Sequence, residues 1–196
     1  MDTYYPKRED AVQLFKKFNK SESLLKHALS VEGVMRYMAL KNGEDQEKWG
    51  VIGLIHDLDY EMYPDMHCKK TEQILREENW PDEYIRAVLS HGFGIVTDTE
   101  PLSLLEKTLY AMDELTGLVA TSALVRPSRS VLDMGVKSVK KKWNDKRFAA
   151  GVDRTVIEDG ASRLGVSLEE LIEDCIMGMR SVAREIGLEG TGVMEA

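Results

Sequence analysis

The sequence predicts an all-α protein, a compact bundle of about nine helices. Apolar residues recur at steps of three and four along most of the chain, and the strict alternation of a half-buried strand is rare. The β-branched residues fall inside those helical periods. The breaks between periods hold cap and turn residues: Ser21, Asn42-Gly43, Pro64, Pro81, Gly92 and Pro101.

Residues 8–19 place Val12, Phe15 and Phe18 on one face and read as a first helix. Ser21 suits the N-cap of a second, over 22–41, whose stripe runs Leu24, His27, Val31, Val34, Met38. After the turn at Asn42-Gly43, a third helix over 45–58 carries Trp49, Ile52, Ile55 and His56. Two helices joined by a short turn are normally antiparallel neighbours. His27 lies about 15 residues before that turn and His56 about 13 after it. At ~1.5 Å rise per residue, the two rings meet at nearly one height.

Pro64 precedes a fourth helix from about Asp65, with His67 in its first turn and Ile74 and Leu75 inward. Pro81 opens a fifth, which ends at His91 with Gly92 as C-cap. This second hairpin brings His67 and His91 to one end. Pro101 opens a long sixth helix to about 125, with Leu102, Leu105, Leu109, Met112, Asp113, Thr116 and Ala120 on its inner face. A short helix is expected over about 133–143. The spacings Thr155 to Glu158 and Ser167 to Glu170 read as capping boxes opening two last helices. The second of these keeps Leu168, Leu171, Ile172, Cys175, Met179, Val182 and Ile186 inward, and residues from Glu189 on read as a frayed end.

At 196 residues the chain is long enough for one domain with a sizeable core, expected over 1–196, with a core at 20–126 and a helical extension at 127–188. Apolar residues are 43% and charged residues 31%, an ordinary globular mix. No apolar run is long enough to span a membrane, and the start lacks the apolar region of a secretory signal. Cys68 and Cys175 are far apart and read as reduced thiols, so a cytoplasmic protein is expected. A net charge of −8 argues against a nucleic-acid polymer as partner. Residues 126–147 nevertheless carry +6, leaving −14 elsewhere. That segment is either a solvated helix face or a meeting place for a small anion.

His27, His56, Asp57, His67, His91 and Asp113 all fall on inner faces or helix ends. A single histidine on such a face is usually a satisfied core residue. A buried carboxylate such as Asp113 costs several kcal/mol without a partner, and either an arginine or a shared cation satisfies it. Imidazole and carboxylate together suit one or two divalent ions of the Mn, Fe, Co, Ni or Zn kind. No thiol is expected among the ligands.

This H…HD…D pattern resembles the HD-domain superfamily of metal-dependent phosphohydrolases, over residues of about 20 to 120. The span from His67 to His91 also resembles its two-metal subgroup. The resemblance implies that His27, His56, Asp57 and Asp113 bind a first metal. Asp57 then bridges to a second held by His67 and His91, with a water between the ions as nucleophile. There are two departures. The family often reads HDIGK, whereas this chain reads HDLDY, with Tyr60 in place of the lysine. Gly92 stands where many two-metal members have another histidine.

The expected substrate is a small phosphorylated compound of nucleotide type. Arg126, Lys137, Lys140 and Lys141 are candidates for its phosphate, and Asp59 and Glu61 for proton transfer beside Asp57. A membrane is not expected as a partner, and a homodimer is left open. Two other readings share the ligand set: a di-iron oxygenase, and a non-catalytic metal- or nucleotide-binding regulatory domain.

Overall fold

The computed structural model describes residues 5–190, and within them the chain is all-helical, with no strand. In chain order the helices are α1 (Arg8–Phe18), α2 (Glu22–Asn42), α3 (Gln46–Ile55), α4 (Lys69–Glu77), α5 (Asp82–Ser90), α6 (Leu104–Leu124), α7 (Val136–Trp143), α8 (Arg154–Leu164) and α9 (Leu168–Ser181). A single 3-10 turn, Pro64–Met66, precedes α4.

The two 21-residue helices, α2 and α6, form the centre. Ser21 caps α2 through the Leu24 amide, and Gly43 ends it in the left-handed conformation at φ 73°. The inward residues Val31, Val34, Met35 and Met38 are buried against α3, α6 and α9. On α6, Leu109, Met112, Leu115 and Leu118 are fully buried. α8 lies along α6 and α9 along α2. Both contacts are closer than ordinary side chains allow. A Cβ on Gly178 would lie 2.5 Å from the Val34 Cα, and one on Gly160 would lie 2.5 Å from the Ala111 Cβ. One apolar core runs from Ala11 to Leu188, so the C-terminal helices share it with the N-terminal ones.

Several helix ends differ from the sequence expectation. α3 stops at Ile55, and residues 56–62 are turns. His67 is not in the first turn of α4 but precedes it, and Cys68 makes the corner with φ +66°. α6 begins three residues after Pro101, because Ser103 and Glu106 form a capping box. Asp153, not Thr155, caps α8 through the Thr155 amide, whereas the expected Ser167–Glu170 box does open α9. α9 ends at Ser181, short of Val182 and Ile186. Glu189 is tethered rather than frayed: its carbonyl accepts the Ser130 hydroxyl at 2.9 Å. The rest of that expected frayed end, 191–196, lies outside the described residues. No helix among the described residues is long and apolar enough to cross a membrane.

Candidate metal centre

Five segments deliver the site, four of them helix-borne. α2 presents His27 from mid-helix, the C-terminus of α3 presents His56 and Asp57, and α6 presents Asp113. The corner before α4 and the C-terminus of α5 present His67 and His91.

The side chains form two groups around one carboxylate. In the first, His27 Nε2 lies 3.0 Å from Asp113 Oδ1 and 3.2 Å from His56 Nε2, with His56 Nε2 also 3.2 Å from Asp113 Oδ1. Asp57 Oδ2 faces this group, 3.4 Å from His56 and 3.6 Å from His27. In the second, His67 Nε2 and His91 Nε2 are 3.2 Å apart, and Asp57 Oδ1 lies 3.6 Å from each.

The ring protons can be placed from the neighbours. His56 Nδ1 donates to the Gly53 carbonyl at 2.7 Å, and His91 Nδ1 to that of Val88. His67 Nδ1 donates to Asp59 Oδ1 at 2.8 Å. His27 Nδ1 has Thr116 Oγ1 at 3.4 Å, and that hydroxyl itself donates to the Asp113 carbonyl. In their neutral form, rings held this way turn bare Nε2 lone pairs toward one another and toward carboxylate oxygens. Such an arrangement is repulsive unless positive charge lies between them. Ligand atoms at about 2.0–2.2 Å from one ion lie about 3–3.5 Å apart, which is the spacing seen, so the residues fit a divalent cation.

Proton affinities reflect the same crowding. Burial lowers that of His56, but Asp57 and Asp113 outweigh it and hold its pKa well above the ordinary value. Burial acts against the charged form of Asp57 and of Asp113. For both carboxyls the facing His56 outweighs it, and their pKa values are depressed. His67 is raised, its burial being outweighed by the bond to Asp59. His91 is lowered by burial and then by His56.

The groups open into a cavity of about 500 Å³. Leu24, Tyr60, Ile95 and Val96 form apolar walls, and Gly151, Val152 and Val156 bring the C-terminal segment against them. Glu114 also lines it, accepting the Asp153 amide at 3.1 Å, with its pKa pushed up to about 7 by burial and by Asp113.

Other expected site residues lie elsewhere. Asp59 is fully buried and is not a free proton carrier, since its second oxygen accepts the Thr71 amide at 2.8 Å. Glu61 accepts the amides of Lys20 and Ser21 at 2.7 and 2.8 Å. Arg126, Lys137, Lys140 and Lys141 are not among the residues lining the cavity. Arg126 is held by Ser138 at 2.9 Å and Asp133 at 3.0 Å, and Lys140 pairs with Glu169. Lys137 and Lys141 are exposed on α7. Conversely, the sequence reading excluded thiols, yet Cys68 Sγ lies 3.9 Å from His91 Nε2. Glu114 was also missed, although it follows Asp113 directly.

The clustered histidines and aspartates on this all-helical fold are compatible with the HD metal-binding pattern. Residues 24–118 match the family model of the HD domain, a family whose members are typically metal-dependent phosphohydrolases. No match was found among curated proteins or among solved structures.

Proposed function

We propose that this protein is a metal-dependent phosphohydrolase acting on a small phosphorylated substrate of mononucleotide size. The observation that carries this reading is Asp57, whose two oxygens face separate pairs of imidazoles. His27, His56 and Asp113 would hold one ion together with Asp57, and His67 and His91 would hold a second beside the same carboxylate. When bound, divalent ions supply Lewis acidity, acidifying water and drawing charge from a phosphoryl oxygen.

The chain's own residues do the rest. The Gly53 and Val88 carbonyls and Asp59 fix the ring tautomers, so that each Nε2 keeps its lone pair for ligation. Leu24, Val96 and Val156 offer an apolar wall to the organic part of the substrate and exclude water from that side. A volume of about 500 Å³ suits one nucleoside-sized group. With no lysine or arginine among the lining residues, a monophosphate is favoured over a triphosphate.

The test is elemental analysis of untagged protein, followed by phosphate release from a panel of phosphate esters with Mn²⁺, Co²⁺ or Ni²⁺. Metal-dependent release without oxygen is expected. Iron-dependent oxygen uptake in place of phosphate release would substitute the oxygenase reading. Nucleotide binding without turnover would substitute a regulatory one.

A further inference from the structure

We infer that Cys68 is an additional ligand of the second ion, a thiolate beside His67, His91 and Asp57. This rests on the two-ion reading above.

Donor atoms of His67, Cys68 and His91 all lie within 4.8 Å of one another. Both histidines have their Nδ1 protons engaged elsewhere, so both Nε2 lone pairs aim into the same space. The His91 side chain is only 3% exposed, and its Nε2 faces His67 Nε2 at 3.2 Å. Sulfur at about 2.3 Å and imidazole nitrogen at about 2.0–2.1 Å from one ion stand roughly 3.5–3.9 Å apart at tetrahedral or slightly wider angles. Cys68 Sγ is 3.9 Å from His91 Nε2.

The surroundings are shaped for the sulfur. A Cβ at Gly92 would come within 3.0 Å of it, so glycine leaves it room. Cys68 occupies the N-cap of α4 with no capping bond from its side chain, in a position where Ser, Thr, Asp or Asn would serve the helix better. It also holds φ +66°, a left-handed conformation that is unfavourable for a non-glycine residue. Ligation breaks the S–H bond, sends the proton to solvent and forms a sulfur–metal bond, with no change of oxidation state. A soft thiolate biases the second position toward zinc, cobalt or iron over magnesium.

Cobalt titration of the full chain, followed by absorption, tests this. A sulfur-to-cobalt charge-transfer band in the near ultraviolet should grow with the second equivalent. Cys68→Ser should lose it, and Cys175→Ser, whose thiol is buried on α9, should keep it. Should Cys68→Ser fail to fold, X-ray absorption of the zinc-loaded wild type decides, with a sulfur scatterer at about 2.3 Å expected. Two cobalt ions per chain with no such band, or no sulfur scatterer, overturn the role of Cys68 and leave the hydrolase reading standing. Failure to bind a second ion overturns both the two-ion reading and this one.

Discussion

Asp59 is one carboxylate with two structural jobs. One oxygen takes the His67 Nδ1 proton, and the other takes the Thr71 amide in the first turn of α4, which has no side-chain cap of its own. Asparagine keeps a single acceptor oxygen, so Asp59→Asn forces a choice between the two. Loss of such a histidine-orienting partner typically costs 10–100-fold in metal affinity. Asp59→Asn should therefore weaken the second ion by about that factor and leave the first unchanged, as read by stepwise metal titration. Equal weakening of both would contradict the division of ligands. The sequence offered Asp59 as a proton carrier because a turn that folds back on the next helix leaves no periodic trace. His27 and Asp113, by contrast, stood out as polar interruptions of apolar stripes on α2 and α6, and that is where the structure has them. The basic residues of 126–147 misled for a different reason. Charge composition shows that cations are present but not what they pair with, and Arg126 and Lys140 are already paired.

Among the elements, α2–α9 and α6–α8 are joined where glycine removes a side chain. Alanine is the better helix former by about 1 kcal/mol. At Gly178, however, its methyl would sit 2.5 Å from the Val34 Cα, a backbone atom that cannot swing away. Gly178→Ala should thus destabilise by about 1–3 kcal/mol despite the propensity gain, as measured by denaturant unfolding. A more stable variant would mean that the two helices are further apart than described. Ser103→Ala removes the capping box of α6 and should cost about 1 kcal/mol, a fall of about 2–4 °C in Tm. Helix interiors were legible because burial imposes a period. The ends were less so: Ser103, Asp153 and the corner at Cys68 depend on single bonds and dihedral angles that several nearby residues could have supplied.

At the scale of the whole molecule, the two groups bring donor atoms from α2, α3, α5 and α6 to places where one cation would contact several of them at once. Ion binding should therefore stabilise the fold. At a free-metal concentration a hundredfold above Kd, mass action contributes about 2.7 kcal/mol, or roughly 5–10 °C in Tm for a chain of this size. Adding Mn²⁺ or Co²⁺ should raise Tm by that order, and a chelator should reverse it, as scanning calorimetry would record. Asp57→Ala should keep its helical circular dichroism, bind no metal and show no such rise. Metal content at the wild-type level in that variant would mean that the centre lies elsewhere.

The HD match ends at residue 118, yet Gly151, Val152 and Val156 complete the cavity wall. The clustered histidines and aspartates thus come from the matched part of the chain, and part of the cavity wall comes from beyond it. Two proteins could have identical ligand residues and differ in diet through this later segment alone. Grafting 145–156 between such proteins would transfer preference while leaving the metal chemistry in place.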